Sequence, residues 1–282
     1  MNYLISGATG DIGSRVVKCL LERGERPRVF ARDAREARER FGERVDVAVG
    51  DLADAGSLYA ALTAVDALFL VNSGPEIAGR DAAAAQAAKA AGVRHLVKLS
   101  SMDARQDVGT GVWHARGEAA IRASGITFTF VQPTGFMENA LFWATTVKKA
   151  GVVRSMTGDG KIPFIHSDDI ADVATQVLTT RDYDGKSLPI TGPEALSYAE
   201  MAAKIGAAIG EQVGFEAISE ERVRQRMTES GDSEEMIVAH LSIYHALREG
   251  RLATATNNVE RVLGRKPIGF DRWAQEHAEA FC

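Results

Sequence analysis

The sequence predicts an α/β protein with a doubly wound parallel sheet and a smaller, mostly helical C-terminal lobe. Two observations support this fold class. In the first half, short β-branched runs alternate with longer runs rich in Ala, Arg and Glu. After Pro133 this alternation stops and helical patterns dominate. Regular alternation of strands and helices is typical of a parallel sheet that carries helices on both faces.

The alternation in the first half predicts six strands, each joined to the next by a helix or a loop. We expect the strands at 2–6, 28–31, 45–49, 67–71, 95–99 and 127–132, and helices at 11–23, 33–41, 53–62, 77–91 and 113–123. Gly92 and Gly125 are expected to end the last two helices. The alanine-rich run 82–92 is interpreted as a helix whose small side chains let it pack close to the sheet.

The second half has a different pattern. We expect helices at 137–149, 167–179, 198–209, 220–229, 233–249 and 271–281, and one further strand at 187–191. The charged, amphipathic stretch 220–249 is interpreted as a solvated helical lobe.

Composition excludes several classes of protein. The 282 residues carry a net charge of −5 and contain no block of Lys and Arg, so we expect no nucleic-acid partner. No apolar stretch is long enough to cross a bilayer and no signal-peptide pattern is present, which predicts a cytoplasmic protein without a membrane partner. Cys19 and Cys282 have neither metal-ligand spacing nor a disulfide partner, and no metal is expected. A monomer or a homodimer fits this composition.

The most informative motif lies between the first strand and the first helix. There the sequence places Gly7, Gly10 and Gly13 in a G-x-x-G-x-x-G turn, a relative of the dinucleotide fingerprint of Rossmann-type folds. Gly7 is expected to allow the tight turn, Gly10 to let the backbone approach a pyrophosphate, and Gly13 to let helix and strand pack closely. A positive φ at Gly10 would make alanine strained there. The helix N-terminus would offer free N–H groups to the phosphates.

The end of the second strand predicts which dinucleotide binds. NAD-binding folds place an acid there for the ribose hydroxyls, whereas this strand ends Phe30-Ala31 and is followed by Arg32. Arginine forms charge-assisted bonds to a 2′-phosphate, so NADP(H) is expected in preference to NAD(H). Asp33 either neutralises Arg32 or caps the next helix, and capping is favoured.

Further cofactor contacts are expected where later strands end. Asp51 either accepts a bond from the adenine amino group or caps the helix at Ala53. The full set of expected cofactor-binding residues is Gly7, Thr9, Gly10, Asp11, Ile12, Gly13, Arg32, Asp51, Leu52, Asn72, Ser73, Ser100 and Pro133. Residues 1–133 with 166–192 would form the Rossmann domain, and residues 134–165 with 193–282 the substrate-binding lobe.

Several further segments resemble one family. The turn 7–13, the stretches 29–33 and 50–54, the run 124–139 and the run 158–171 resemble the NmrA-like, atypical short-chain dehydrogenase/reductases. Thr191–Glu194 and the closing Leu263–Pro267 also fit. By pattern, the type 2 quinone oxidoreductases and the triphenylmethane-dye reductases look most similar. Many members carry Arg where this chain has Gln132, which puts an anion contact there in doubt.

The chain lacks the Tyr-x-x-x-Lys pair that better-known members of the superfamily use for proton donation. The helix expected to carry the pair has His114 and Glu118 at i and i+4, and the reductases named above have a similar pair. His114 would steer an acceptor or supply a proton, or else form a surface pair with Glu118. Ser101 is a second catalytic candidate, and Met102 is the alternative residue for the same position at the end of the fifth strand.

These observations and the resemblance imply an NADPH-dependent reductase. An acceptor that takes hydride readily, such as a quinone or another electron-poor conjugated molecule, needs little help from a Tyr–Lys pair. The expected partner is therefore a small hydrophobic or aromatic acceptor. Its wall would comprise Met102, Trp113, Phe136, Met137, Phe142 and Tyr244. Two alternatives stay open: a non-catalytic, NADP-binding redox-sensing regulator of the NmrA type, and a specialised biosynthetic reductase.

Overall fold

The computed structural model describes residues 1–282. It divides into two compact units, of which the first comprises residues 1–105, 111–132 and 167–189. The second comprises residues 106–110, 133–166 and 190–282. These bounds differ from the expected ones by a few residues, apart from the short segment 106–110, which joins the second unit. The binding roles expected for the two parts stay predictions.

The first unit is built on a seven-stranded sheet with the order β3-β2-β1-β4-β5-β6-β9. The strands are β1 (Tyr3–Ser6), β2 (Arg28–Ala31), β3 (Asp46–Val49), β4 (Ala67–Leu70), β5 (His95–Leu99), β6 (Phe128–Pro133) and β9 (Ser187–Ile190). Every residue of β1, β4 and β5 is buried, as expected for central parallel strands covered on both faces. The predicted α/β class with a doubly wound, Rossmann-type parallel sheet is confirmed.

The order of the strands fixes where a ligand can bind. From β1 the chain proceeds to β2 and β3 on one side of the sheet, and then crosses to β4, β5 and β6 on the other. The register pairs Ile5 with Val29 of β2 and with Phe69 of β4. The direction of winding therefore reverses between β1 and β4. In open α/β sheets, ligands bind at the carboxyl ends of the strands beside such a reversal.

Six helices cover the sheet of the first unit. They are α1 (Asp11–Glu22), α2 (Ala34–Phe41), α3 (Ala55–Ala61), α4 (Ile77–Ala90), α5 (Gly111–Ser124) and α7 (Ser167–Thr179). The alanine-rich run lies in α4, where Ala84, Ala85 and Ala88 are completely buried, as interpreted from the sequence. At the facing position on α5, a Cβ on Gly117 would stand 2.1 Å from a carboxylate oxygen of Asp81. Small residues on both helices therefore allow their close approach.

The second unit contains more strand than the sequence analysis predicted. Its elements are α6 (Ala144–Ala150), β7 (Val152–Ser155), β8 (Lys161–Ile162), β10 (Leu196–Ser197), α8 (Tyr198–Ile209), β11 (Gly214–Ala217), α9 (Glu220–Glu229), α10 (Glu234–Arg248), α11 (Asn258–Leu263) and α12 (Phe270–Glu276). β7 pairs with β11 in parallel, and β8 pairs with β10 antiparallel. The single helix expected at 137–149 is a 3₁₀ helix over Met137–Trp143 followed by α6.

The core of the second unit is aromatic. Trp273 is completely buried and lies against Phe270 and the ring of His277. Tyr198 packs against Phe164 in the same cluster. No helix of either unit combines the length and the apolar character that crossing a membrane requires.

Candidate active site

The glycine turn forms a tight loop between β1 and α1. The N–H of Gly10 donates a hydrogen bond to the carbonyl of Gly7 over 3.0 Å. Gly7 has a φ of +59°, and a Cβ on Gly13 would stand 2.1 Å from the Gly7 carbonyl oxygen. Gly10 itself has a φ of −78°, so the expectation of a positive φ there was wrong. The left-handed residue of the turn is Gly7, because the chain reverses at that position.

The first turn of α1 differs from those of its neighbours in having no side-chain cap. In α2 and α3 the carboxylates of Asp33 and Asp54 accept the bonds from the leading N–H groups. The residue before α1 is Gly10, which has no side chain to offer. The leading N–H groups of α1 are therefore left for another acceptor. Together with the positive end of the helix dipole, they suit a phosphate.

Two residues of this first turn have side chains that point to other partners. The Asp11 carboxylate accepts bonds from Arg15 at 2.9 Å and from the hydroxyl of Ser167 at 2.8 Å. Ile12 is 4% exposed. Any contact that Asp11 or Ile12 makes to a cofactor would therefore use the backbone N–H.

A cleft of about 440 Å³ runs along the carboxyl ends of the first four strands. Its walls are formed by Gly7, Thr9, Gly10, Phe30, Ala31, Arg32, Gly50, Asp51, Leu52, Val71, Asn72, Ser73 and Arg80. The cleft thus brings together eight residues that the sequence analysis assigned to cofactor binding: Gly7, Thr9, Gly10, Arg32, Asp51, Leu52, Asn72 and Ser73. The backbone turn, the uncapped helix and the two arginines fit an anionic dinucleotide.

The charges at the end of β2 follow the expected arrangement. Asp33 accepts a 2.7 Å bond from the N–H of Arg35 and caps α2. Arg32 is exposed and has no hydrogen bond or ion pair within the chain. Its guanidinium is therefore free to bind a ligand in the cleft.

Asp51 does not take one of the two roles that were expected for it. Its carboxylate accepts a 2.8 Å bond from the N–H of Ala53, but α3 begins only at Ala55 and is capped by Asp54. The expectation that Asp51 caps this helix was wrong. Asp51 closes a turn ahead of the helix, on the wall of the cleft.

Arg40 is a residue that the sequence analysis missed. Its guanidinium donates to the carbonyl of Thr9 at 2.6 Å and to the hydroxyl of Ser14 at 2.9 Å. It therefore ties α2 to the glycine turn. No local signal could have identified it, because Arg35 and Arg38 of the same helix look equivalent in the sequence.

The carboxyl ends of β4 and β5 lie above a buried ion pair. The ammonium of Lys98 stands 2.6 Å from a carboxylate oxygen of Asp81, and both side chains are completely buried. Burial raises the pKa of Asp81 and lowers the pKa of Lys98, and each partner opposes the shift of the other. The amide of Asn72 contacts the Asp81 carboxylate at 3.4 Å. The pair therefore connects the interior with a residue of the cleft wall.

Glu118 links α5 to the ends of β5 and β6. Its carboxylate accepts bonds from the hydroxyl of Ser100 at 2.6 Å and from the amide of Gln132 at 2.7 Å, with Arg122 at 3.3 Å. It makes no hydrogen bond to His114, so the surface pair considered for these two residues does not form. Gln132 is buried and contacts this carboxylate. Ser100 is 5% exposed, and its hydroxyl is used in the bond to Glu118.

His114 lies on the same helix and is half-buried. Burial lowers its pKa to about 3, and the charge of Lys98 acts in the same direction. Nδ1 of the imidazole is buried without a hydrogen-bond partner. His114 is therefore neutral near neutral pH. In this form it can orient an acceptor through a hydrogen bond but holds no imidazolium proton to supply.

The segment after β5 carries the second catalytic candidate. The Ser101 hydroxyl is half-buried and accepts a 3.1 Å bond from the N–H of Asp103. Met102 follows it and is buried, as is Trp113 of α5. Burial raises the pKa of Asp103 to about 6, and the Ser101 hydroxyl opposes that shift. Asp103 was not among the residues predicted from the sequence, because the shift of its pKa depends on burial.

The remaining predicted residues lie in the second unit and do not share one environment. Phe136 and Tyr244 are half-buried, and Pro133 is buried. Met137 is 1% exposed and belongs to the core of this unit, whereas Phe142 is 83% exposed. Their role in binding an acceptor stays a prediction.

Comparison with known proteins decides the family. A family model described as NAD(P)H-binding matches residues 7–181, which include the glycine turn and the whole cleft. The chain belongs to this NAD(P)H-binding family. The NAD(P)H azoreductase of Xenophilus azovorans is 38% identical over 281 residues, which cover 99% of this chain and 98% of that protein.

Quinone oxidoreductase 2 of Escherichia coli is 29% identical over 221 residues, 77% of each chain. This NAD(P)H-binding protein is thus an oxidoreductase. The resemblance to quinone oxidoreductases and dye reductases inferred from the motifs is confirmed.

Solved structures show the same fold. The NADPH complex of an Escherichia coli quinone oxidoreductase superposes with a TM-score of 0.88 at 24% identity, covering 98% of this chain and 99% of that chain. Triphenylmethane reductase of Citrobacter sp. gives 0.87 at 20% identity, with 99% and 100% covered.

Proposed function

We propose that this protein prefers NADPH over NADH and reduces a quinone-like or other electron-poor conjugated acceptor. When bound, the cofactor supplies the hydride. The observation that carries the cofactor preference is the end of β2, where Arg32 stands unpaired in the cleft and Asp33 is used as a helix cap. A free guanidinium there favours the 2′-phosphate of NADPH. Because Asp33 is used as a helix cap, the ribose hydroxyls of NAD would find no carboxylate to bind them.

The acceptor class follows from what the carboxyl ends of β4 to β6 contain. None of the tyrosines of the first unit lies there: Tyr3 begins β1, Tyr59 is 51% exposed on α3, and Tyr183 precedes β9. The groups that the first unit places there are a neutral imidazole, two hydroxyls, carboxyl groups, a lysine already paired with Asp81, and buried apolar side chains. They would stabilise little negative charge on an alkoxide, so a simple ketone is a poor substrate. A conjugated acceptor spreads the charge itself and needs less help.

The relatives support this class of acceptor. The 38% identical relative is named an azoreductase and a 29% identical relative a quinone oxidoreductase. Azo compounds and quinones are both planar, conjugated and electron-poor. A hydrophobic or aromatic small molecule is therefore the proposed partner.

A panel of acceptors tests this proposal. Oxidation of NADPH is followed with a quinone, an azo dye, a cationic triphenylmethane dye and a simple ketone, each against a control without protein. We expect turnover with the conjugated acceptors, little with the ketone, and slower turnover when NADH replaces NADPH. Tight NADPH binding without turnover of any acceptor would instead favour a redox-sensing regulator.

A second candidate is a biosynthetic reductase. It is favoured by a relative from Streptomyces griseus that is 36% identical over 282 residues and is named a (4-alkanoyl-5-oxo-2,5-dihydrofuran-3-yl)methyl phosphate reductase. The unsaturated ring in that name is also a conjugated acceptor. Including such a phosphorylated lactone in the panel separates the two candidates, because a dedicated biosynthetic enzyme should favour it over the azo dye and the quinone.

A further inference from the structure

The glycine turn needs support from outside itself, because three of its seven residues, 7–13, are glycines. Glycine loses more conformational freedom on ordering than any other residue. Within the turn the N–H of Gly10 bonds to the carbonyl of Gly7, but no side chain caps α1. A loop that a ligand must first order binds that ligand more weakly than a loop already held in shape. Groups that hold this turn therefore contribute to its affinity for a phosphate.

Arg40 of α2 holds the turn together with Ser14. Its guanidinium donates to the carbonyl of Thr9 over 2.6 Å and to the hydroxyl of Ser14 over 2.9 Å. The Ser14 hydroxyl in turn donates to the carbonyl of Asp11 over 3.0 Å. These two carbonyls flank Gly10. The guanidinium and the hydroxyl thus fix the backbone on both sides of the residue where a phosphate is proposed to approach.

Fixing the carbonyls also fixes N–H groups of the turn. A peptide group is planar, so a carbonyl and the N–H of the following residue rotate together. The bond to the carbonyl of Asp11 therefore sets the direction of the N–H of Ile12, which lies in the first turn of α1. This first turn has no side-chain cap, so a donor there is oriented while it stays available for a phosphate.

Arg40 reaches the turn from outside the cofactor cleft. It lines a separate groove of about 460 Å³ formed by α1 and the end of α2, whereas Arg32 lines the cleft. The two other arginines of α2, Arg35 and Arg38, bond within residues 35–45. Arg40 is thus the arginine of this helix that bonds the turn, and its place suits support of the turn and not contact with the cofactor.

We propose that Arg40 is a positioning residue for the cofactor: it holds the glycine turn in the shape that receives the pyrophosphate and does not touch the cofactor itself. The proposal rests on the proposed binding of the dinucleotide at this turn. The pyrophosphate is common to NADPH and NADH, whereas only NADPH has the 2′-phosphate. Arg40 therefore acts on the affinity for both cofactors alike, in contrast to the NADPH-selective effect expected of Arg32.

Calorimetric titration of Arg40→Ala with NADPH, NADH and 2′-AMP, which lacks the pyrophosphate, tests the proposal. We expect the Kd of both dinucleotides to rise about tenfold, the effect of losing one hydrogen bond from a charged group. The Kd of 2′-AMP should stay unchanged. Arg35→Ala is the matched control, because it removes the same charge from an exposed position of the same helix. A loss confined to NADPH and 2′-AMP would overturn the proposal, since Arg40 would then bind the 2′-phosphate directly.

Ser14→Ala separates positioning from charge. It leaves the net charge unchanged but removes the hydroxyl between Arg40 and the carbonyl of Asp11, so it should also weaken the binding of both dinucleotides. Combined with Arg40→Ala, it should raise the Kd by less than the product of the two single effects, because both residues hold the same turn. Independent effects of the two substitutions, or a Ser14→Ala protein that binds both dinucleotides like the parent, would contradict the proposal.

Hydrogen exchange of the ligand-free protein reports on the turn itself. We expect the amides of residues 9–14 to exchange faster in Arg40→Ala than in Arg35→Ala, because the turn is no longer held from α2. Unchanged exchange together with an unchanged Kd would overturn the proposal and leave the cofactor site intact. A parent protein that binds neither dinucleotide would instead refute the proposed function, and the proposal with it.

Discussion

The carboxyl edge of the sheet has two halves that are built by different means. One half is where we propose that the cofactor phosphates bind, and we call it the phosphate half. It comprises Gly7, Gly10, Gly13 and Arg32 and offers backbone N–H groups, the absence of side chains and one exposed cation. The other half is where we propose that the acceptor binds, and we call it the acceptor half. It comprises Asp81, Lys98, Ser101, Asp103 and His114, whose polar side chains are buried or half-buried. One half is specified within a short stretch of sequence, whereas the other is assembled from α4, β5 and α5.

This difference has an energetic consequence. The phosphate half requires close packing of backbone atoms but buries no charge. The acceptor half holds Asp81 and Lys98 without any contact with water, and such a pair is stable only while both partners are present. Substitutions in the acceptor half should therefore act strongly on folding, and those in the phosphate half mainly on binding, with Gly13 as the exception.

The largest effect is expected for Lys98→Met. It leaves the completely buried Asp81 carboxylate without a partner, and losing one member of a buried pair costs about 3–5 kcal/mol of unfolding free energy. Urea denaturation measures this loss. The matched double variant Lys98→Met with Asp81→Leu removes both charges and should recover most of it. A single variant as stable as the parent would show that the pair is not the costly element of the acceptor half.

The next effect concerns Arg32→Ala. Removing the free guanidinium should cost about 1.5–3 kcal/mol of NADPH binding, or roughly tenfold to a hundredfold in Kd, because one charge-assisted contact to the 2′-phosphate is lost. The affinity for NADH should change little. Fluorescence titration with both cofactors measures this, and Arg222→Ala, on an exposed part of α9, controls for the altered net charge. Equal weakening of both cofactors would remove Arg32 from this role.

Gly13→Ala is the exception within the phosphate half. Its Cβ would overlap the Gly7 carbonyl oxygen at 2.1 Å, so the start of α1 must move away from the turn. Overpacking of this kind costs about 1–3 kcal/mol, which thermal or chemical denaturation without ligand detects. Gly79→Ala is the control, because a Cβ on that helical glycine meets nothing within 4 Å. A Gly13→Ala protein as stable as this control would contradict the packing seen in the turn.

The same contrast explains how far the sequence could predict the molecule. The bounds of β2, β5, α7, α8 and α9 match the expected ranges, because the periodicity of hydrophobic residues and the capping residues are local signals. The turn 7–13 could also be placed from spacing alone. β7 and β11 were missed, since each is four residues long and gains its hydrogen bonds only from the other, which is distant in sequence.

The chemistry of the acceptor half was harder to predict. Lys98 lies in a strand pattern that does not reveal its partner, and Asp81 begins an alanine-rich run. Only the packing of α4 on α5 at Gly117 brings this carboxylate into the interior. Likewise, the raised pKa of Asp103 and the lowered pKa of His114 arise mainly from burial and not from the neighbouring sequence. Spacing identified His114, but it could not show that the imidazole is neutral.

The central claim is that the glycine turn holds the phosphates of the dinucleotide, and Gly10→Ala tests it most directly. The φ of −78° suits alanine, and the new Cβ meets only the Gly7 carbonyl oxygen, at 3.2 Å, so the chain should stay folded. The methyl group would project into the cleft where a phosphate would approach the backbone. NADPH titration should therefore show a loss of at least about tenfold in affinity, or about 1.4 kcal/mol, while the melting temperature stays close to that of Gly79→Ala. A Gly10→Ala protein that binds NADPH as tightly as the parent would contradict the account.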